Sequence, residues 1–274
     1  MNYRHAFHAG NFADVVKHLA LISIIAHLKK KNAAFAVIDT HAGRGLYDLA
    51  GEEAKRAGEA ASGIVRVNEA NDGPPLLTTY LGLVRSCGGA HYPGSPLITA
   101  KLLRSQDRLI AMEKHPAEAK ALTAVLKPFS RARAMEADGY EKLPSLLPPP
   151  ERRGLVLIDP PYEAPDEFEH AAQAVGDTRR RFATGVVLVW FPVKSSATAS
   201  ALSGEILQTG VGKLLRIDID TGASGERMSA AGLLVVNPPF GFAGDMRETL
   251  DVVAPKLGNG GPAKTHLQWL AGSE

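Results

Sequence analysis

The sequence predicts an α/β fold in which a mostly parallel sheet carries helices on both faces. Three observations lead to this prediction: strands alternate with amphipathic helices, an unbroken apolar run occupies Gly154–Ile158, and a glycine-rich turn follows the first predicted strand. A strand that is apolar on both faces is typical of a parallel sheet covered by helices. Ligands bind beyond the carboxyl ends of such strands. We therefore expect one domain over residues 1–274, with a ligand crevice at that edge of the sheet.

Composition limits the class of protein. The chain has 274 residues and a net charge of +2, which allows an acidic partner without requiring one. Its single cysteine, Cys87, excludes an internal disulfide framework and a zinc site built on cysteines. The N-terminus lacks the apolar core of a signal peptide, and no apolar stretch approaches membrane-spanning length. We expect a cytoplasmic protein that does not associate with membranes.

The first residues combine aromatic rings, imidazoles and a cation without periodicity. Such a segment could line a nucleotide pocket by stacking and by contact with phosphate, although a flexible terminus is the ordinary interpretation. The polar and aromatic side chains of interest are Tyr3, Arg4, His5 and His8.

A helix follows, with Asn11 as its N-cap and the cations Lys29–Lys31 at its end. Lys17 and His18 lie near its N-terminal end, where polar side chains could reach a ligand. A solvated helix face is the alternative interpretation of these two residues.

The strand Ala33–Asp39 and the glycine turn after it form a nucleotide-type loop. The dinucleotide fingerprint is not met, because Asp48 stands where its third glycine would be. An acid four residues before Gly43-x-Gly45 is instead typical of loops that hold S-adenosylmethionine. His41, inside this loop, could contact the ligand.

Residues 46–94 interrupt the alternation of strands and helices. Charged stretches, proline and glycine turns and helical spacing indicate a small helical insertion carried on the core. Ser95 then caps the next helix, with Pro96 at the first helical position, and this role is compatible with contact to a ligand.

Two further strands also end in acids. The strand Arg108–Glu113 follows the glycine loop, and the acid at this position of a nucleotide-binding sheet accepts hydrogen bonds from ribose hydroxyls. Asp138 follows the next strand and precedes Gly139. It could accept a hydrogen bond from the adenine amine of a cofactor, or simply cap the following helix.

The turn Asp159-Pro160-Pro161-Tyr162 follows the apolar strand Gly154–Ile158. The prolines end the strand abruptly and stiffen the backbone beyond it. Asp159 and the Pro160 carbonyl can each accept a hydrogen bond from a planar amine, and Tyr162 can offer a ring on which a base stacks. An ordinary strand-ending turn is the alternative.

A second turn, Asn237-Pro238-Pro239-Phe240, fits the same pattern. Asp159 ends the fourth strand counted from the glycine loop, which neighbours the first strand in a doubly wound sheet. Asn237 comes after further strands, and we expect it near the sheet edge. We therefore assign the catalytic role to Asp159.

The chain resembles the bacterial 23S ribosomal RNA adenine-N6 methyltransferases of the RlmJ type. The resemblance covers nearly the whole chain, and the N-terminal motif is its most specific part. The matching segments are Tyr3–His18, Asp39–Gly43, Tyr92–Pro96, Ala137–Gly139 and Ile158–Tyr162.

The resemblance implies a Rossmann-like methyltransferase fold with a helical insertion, S-adenosylmethionine as donor, no metal, and one unpaired or flipped adenine of 23S ribosomal RNA as target. Asp159 and the Pro160 carbonyl would hold the target amine as catalytic groups, and the adenine would stack on Tyr162. We expect a monomer. The implied donor-binding residues are Lys17, His18, His41, Ser95, Glu113, Asp138, Gly139 and Asp159, and the substrate-binding residues are Tyr3, Arg4, His5, His8 and Tyr162.

Two alternatives remain open from the residues alone. An enzyme with the same turn could methylate DNA adenine or a protein glutamine amide, since these planar groups make similar hydrogen bonds. A protein from another class, an RNA-binding protein without catalysis, is disfavoured by the glycine loop, Glu113 and Asp159.

Overall fold

The computed structural model describes residues 5–70, 72–193, 195–224 and 228–274. Within these ranges the strands are β1 Ala36–Asp39, β2 Leu46–Asp48, β3 His91–Pro93, β4 Arg108–Glu113, β5 Ala132–Glu136, β6 Gly154–Ile158, β7 Val186–Pro192, β8 Leu214–Asp220, β9 Ala230–Val236 and β10 Lys264–Ala271. The helices are α1 Phe12–Lys29, α2 Glu52–Ala57, α3 Ile64–Asn68, α4 Pro75–Arg85, α5 Ser95–Leu102, α6 Pro116–Leu126, α7 Gly139–Leu146, α8 Glu167–Arg181, α9 Ser196–Gln208 and α10 Phe242–Leu257.

The central sheet has the order β10-β8-β9-β7-β6-β1-β4-β5. Strands β5, β4, β1, β6 and β7 are parallel, whereas β9, β8 and β10 are joined by antiparallel pairings. The chain runs outward from β1 through β4 to β5 and then returns to β6 on the other side of β1. This reversal makes a switch point between β1 and β6, where open α/β sheets bind ligands.

Helices cover both faces of the sheet, which confirms the predicted fold class. Val37 and Leu155 point to one face, where they join an apolar cluster with side chains of α1 and α10. Ile38 and Val156 point to the other, where they join side chains of α7, α8 and α9. Alternate strand residues thus enter opposite apolar layers, as the continuous apolar strands require.

Helix α1 begins and ends close to its predicted bounds, because Asn11 accepts a hydrogen bond from the Asp14 amide and cations occupy the last turn. The helix is buried almost all round. Its polar residues Asp14, Lys17 and His18 therefore cannot be a solvated face, and they must be satisfied inside the protein.

Residues 46–94 lie outside the central sheet. Strands β2 and β3 form a separate antiparallel pair, with α2, a 3-10 segment Glu59–Ser62, α3 and α4 between them. The sequence indicated the helices but not the strand pair. Buried Val67, Leu77 and Tyr80 join the same apolar cluster as α1.

The terminal third departs from expectation at three places. The sequence predicts a helix over residues 166–174, whereas α8 continues to Arg181, because the basic run 179–181 suits the last turn of a helix. Helix α9 was not predicted, since its sequence is rich in small residues and has few apolar ones. Strand β9 lies inside the sheet between β7 and β8, so the expectation that Asn237 lies near the sheet edge is wrong. No helix in the described ranges is long and apolar enough to cross a membrane.

Candidate active site

A cleft of about 820 Å³ opens at the carboxyl ends of β1, β4, β5 and β6, at the switch point of the sheet. It lies between the loop after β1, the starts of α5 and α7, the turn after β6, and α8. Residues from distant parts of the chain meet here. The sequence-predicted residues that line it are His5, Lys17, His18, His41, Ser95, Glu113, Asp138, Gly139, Asp159 and Pro160.

Asp159 is held by a buried lysine. Lys17 Nζ lies 2.5 Å from Asp159 Oδ2 and 2.7 Å from Asp14 Oδ1, and the Lys17 side chain is 5% exposed. Burial alone would lower the pKa of Lys17, but the two carboxylates outweigh burial and raise it above its usual value. Lys17 is therefore a permanent cation that fixes the orientation of the Asp159 carboxylate.

Asp14 was missed by the sequence reasoning as a site residue. Its Oδ2 atom accepts hydrogen bonds from His5 Nε2 and the Gly10 amide, each at 2.9 Å. Burial would raise the pKa of Asp14, but the positive charges of His5 and Lys17 hold it well below its usual range. The i,i+3 spacing of Asp14 and Lys17 was the available indication of this pair.

His18 is an uncharged, buried member of the site. It is 1% exposed, and its Nδ1 lies 2.7 Å from the Tyr92 hydroxyl. Burial lowers the pKa of His18 to about 3. Protonation therefore opposes the native packing.

We expect the contribution of His18 to the stability of the protein to be lost in mild acid. Between its folded pKa of about 3 and the ordinary value near 6.5, the unfolded chain binds a proton that the native chain does not, so stability is lost as pH falls. From pH 7 to pH 5 this linkage removes about 2 kcal/mol. Urea unfolding of the wild type and of His18→Gln at both pH values isolates this effect, since the other groups are common to both. Equal pH dependence in the two proteins would contradict it.

The acid at the end of β1 is linked to Ser95. Asp39 is fully buried, and its Oδ2 accepts a hydrogen bond from Ser95 Oγ at 2.7 Å. Burial raises the pKa of Asp39 to about 7, against the opposing effect of the Ser95 hydrogen bond. The predicted N-cap role of Ser95 is wrong: α5 begins at Ser95 itself with Gly94 before it, so the hydroxyl is free to bind Asp39.

Glu113 holds the glycine loop after β1 by accepting hydrogen bonds from backbone amides. Its Oε2 accepts from the Gly43 amide at 2.9 Å, and its Oε1 accepts from the His115 amide at 2.7 Å. Gly43 has a φ of +61°, and a Cβ there would lie 2.2 Å from the Tyr47 hydroxyl. The loop thus needs glycine at this position both for its backbone and for its packing.

Asp138 caps α7 as predicted, accepting hydrogen bonds at Oδ1 from the Tyr140 and Glu141 amides. Its Oδ2 accepts from Lys114 Nζ at 2.7 Å. Burial would raise the pKa of Asp138, but the Lys114 and amide hydrogen bonds lower it. His41 packs edge-on against Tyr140, and burial lowers the pKa of His41 to about 4.

Gly139, the first residue of α7, packs directly against Thr40, the residue that follows β1. A Cβ at this position would lie 2.1 Å from the Thr40 carbonyl oxygen. We expect Gly139→Ala to cost about 1–3 kcal/mol of stability, because the start of α7 must move away from the loop after β1. Thermal or urea unfolding measures the loss.

Gly244 offers a matched control for that substitution. It lies in α10, and a Cβ there meets nothing within 4 Å. Gly244→Ala should be neutral or stabilising by up to about 1 kcal/mol. Equal effects of the two substitutions would show that the contact with Thr40 is not tight.

Tyr162 does not offer its ring to the cleft, which corrects the predicted stacking role in this structure. The residue is 6% exposed, and its hydroxyl donates to the Trp190 carbonyl at 2.8 Å. His8 is likewise outside the cleft, with its Nδ1 2.9 Å from Glu59 Oε1 in the 46–94 segment. Tyr3 and Arg4 lie outside the described residues.

The second proline turn lies at the opposite end of the sheet from Asp159. Strand β9 is antiparallel to β7, so Val236 pairs with Val187 at the start of β7. The Asn237 side-chain amide donates to the Ala183 and Gly185 carbonyls, each at 2.9 Å. Asn237 is thus a structural residue far from the cleft.

Tyr140 was also missed by the sequence reasoning. It lines the cleft, and its buried hydroxyl interacts with the carboxylate of Glu167, which lines the same cleft. The Tyr140 hydroxyl and the carboxylates of Glu113, Asp138 and Glu167, which line this part of the cleft, make it suited to a polar ligand.

Comparison with known protein families shows which family the chain belongs to. The sequence profile of the family described as ribosomal RNA large subunit methyltransferase D, RlmJ, matches residues 32–271. The chain belongs to the RlmJ family. Curated relatives named ribosomal RNA large subunit methyltransferase J support the assignment: the one from Escherichia coli K12 is 39% identical, and the alignment covers 98% of this chain and 99% of the relative.

Two further proteins are similar to this chain in sequence or in fold. The ribosomal RNA large subunit methyltransferase J from Haemophilus influenzae Rd is 36% identical over 98% of this chain and 99% of the relative. A crystal structure of a protein from Legionella pneumophila Philadelphia 1 superposes with a TM-score of 0.89 at 32% identity, covering 95% of this chain and 98% of that one. The sheet described above is therefore the fold shared with that relative.

Proposed function

We propose that this chain transfers the methyl group of S-adenosylmethionine to the N6 amine of one adenine in 23S ribosomal RNA. The observation that carries the proposal is the position of Asp159. Its carboxylate is fixed by Lys17 at the end of β6, in the same cleft as the glycine loop that follows β1. Membership in the RlmJ family and the names of the curated relatives support ribosomal RNA as the acceptor.

The donor end of the cleft has the groups that S-adenosylmethionine needs. Glu113 and Asp138 are acceptors at the ends of adjacent strands, suited to ribose hydroxyls and an adenine amine. Tyr140 supplies a buried hydroxyl that lies next to Glu167 in the same cleft. His41, Ser95, His18, Lys17 and Gly139 complete the proposed donor-binding set. The bound donor supplies an electrophilic methyl group on a positively charged sulfur.

The acceptor end must activate a poor nucleophile. The lone pair of the adenine amine is delocalised into the ring, so the protein has to orient the nitrogen. Asp159 Oδ2 accepts from Lys17, and among the described residues no hydrogen bond reaches Oδ1. Asp159 Oδ1 and the Pro160 carbonyl would accept the two amine hydrogens and direct the lone pair.

The proton that leaves the amine needs only a weak acceptor. The nitrogen becomes acidic as its bond to the methyl group forms, so Asp159 need not be a strong base to accept the proton. Lys17 stabilises the ionised carboxylate and keeps it ready to accept. His5 lines the cleft next to this pair and is proposed to contact the target nucleotide.

Methyl transfer from labelled donor tests the proposal and its rivals together. Purified protein is incubated with deproteinised 23S ribosomal RNA, with DNA and with a mixture of ribosomal proteins. The RNA should be drawn from cells that lack this enzyme. We expect label in the RNA alone, released as N6-methyladenosine after digestion to nucleosides. Label in DNA adenine or in glutamine would contradict the proposal, and binding of RNA without transfer would favour a non-catalytic protein.

A further inference from the structure

Tyr162 follows the two prolines of the turn after β6, and its side chain is buried between β7 and α8. The hydroxyl donates to the Trp190 carbonyl of β7 at 2.8 Å. The ring packs against Phe168 of α8, with centroids 4.5 Å apart, and against Trp190 at 5.7 Å. These contacts join the turn after β6 to the next strand and the next helix.

The hydroxyl replaces a backbone donor that the turn cannot supply. The pairing of β6 with β7 ends at Ile158 and Val189, one residue before Trp190. Pro160 and Pro161 have no N–H groups with which to continue the hydrogen bonds of the ladder. The Tyr162 hydroxyl therefore satisfies the carbonyl just beyond the last pair.

The backbone of Tyr162 is held in an unfavourable conformation. Its φ is +51°, which is rare for a residue with a bulky side chain. Such a conformation persists only where the surroundings determine it, and here the buried ring and hydroxyl do so. The two prolines between Tyr162 and Asp159 have fixed φ angles, so a displacement at Tyr162 is transmitted to the carboxylate.

We infer that Tyr162 is a positioning residue for methyl transfer, which holds Asp159 and the Pro160 carbonyl in place from behind and does not stack on the target base. Lys17 fixes the Asp159 carboxylate by direct contact, and Tyr162 fixes the backbone of the turn by binding the Trp190 carbonyl. The inference rests on the proposed function, since it assigns to Asp159 and Pro160 the role of gripping the amine.

Tyr162→Phe separates the two roles, because phenylalanine stacks as well as tyrosine but cannot bind the Trp190 carbonyl. We expect kcat to fall at least about tenfold, with the KM for S-adenosylmethionine within about twofold of the wild type. Thr249→Val is a matched control. Thr249 is fully buried, and its hydroxyl donates to the Asp245 carbonyl in α10 at 2.7 Å. The control should lose similar stability and keep its kcat.

A kcat for Tyr162→Phe equal to that of the wild type would overturn the inference and favour a stacking role. Hydrogen exchange of the amides of residues 162–164 gives a readout that does not need turnover. Exchange should be faster in Tyr162→Phe than in the wild type and in Thr249→Val, and unchanged exchange would also overturn the inference. The wild-type assay on RNA tests the proposed function separately, because absence of N6-methyladenosine there is independent of the variant.

Discussion

Asp159→Asn should lower kcat by about 10²–10³-fold while the affinity for S-adenosylmethionine changes little. The amide keeps the shape of the carboxylate but loses the charge that orients the target amine and accepts its proton. Lys17 remains paired with Asp14, 2.7 Å away, so the substitution leaves no uncompensated buried cation. Single-turnover methylation of 23S ribosomal RNA and calorimetric titration of the donor measure the two quantities.

Asn237→Ala is the control for that experiment, because it alters the second proline turn at the far end of the sheet. The Asn237 side-chain amide donates hydrogen bonds to the Ala183 and Gly185 carbonyls. The substitution should therefore lower the unfolding free energy by about 1 kcal/mol and leave kcat unchanged. Wild-type turnover by Asp159→Asn, or a loss of turnover in Asn237→Ala alone, would mean that another group holds the amine.

Lys17→Met should destabilise the protein by about 3–5 kcal/mol, the cost of removing one partner from a buried ion pair. Asp14 is 2% exposed and the Asp159 side chain 13% exposed, so water cannot replace the ammonium group fully. Guanidinium or urea unfolding at pH 7 measures the loss. kcat should fall as well, since the Asp159 carboxylate loses its fixed orientation.

The double variant Asp14→Asn/Lys17→Met tests the cause of that loss. In Lys17→Met the buried carboxylate of Asp14 loses its cation. Asp14→Asn removes that unpaired charge, so the double variant should be more stable than Lys17→Met. Two outcomes would contradict a buried Lys17–Asp14 ion pair and indicate an exposed one: additive losses of unfolding free energy in the double variant, or a loss below about 1 kcal/mol for Lys17→Met.

Much of the fold follows from local chemistry that the sequence displays. β4 occupies its predicted bounds because an apolar run ends abruptly at Glu113, and α1 does so because Asn11 caps it. The acids after β4, β5 and β6 line one cleft because parallel strands bring their carboxyl ends to the same edge of the sheet. The resemblance to the RlmJ family supplied the remaining residues of the proposed donor-binding set.

The features that were missed depend on contacts between distant residues. The Lys17–Asp159 pair joins positions 142 residues apart, and no local pattern indicates it. The side of the sheet that Tyr162 faces is set by a positive φ, which the order Pro-Pro-Tyr does not reveal. Asn237 was placed wrongly because the sequence does not state that β9 runs antiparallel to β7.

A crystal structure of the protein with S-adenosylhomocysteine is the most direct test of the central claim, that Asp159 and the donor share one cleft. The proposal predicts that the ribose hydroxyls contact Glu113 and that the sulfur faces Asp159 across a gap that accepts one adenine ring. A ligand bound outside this cleft, or a sulfur turned away from Asp159, would contradict the account.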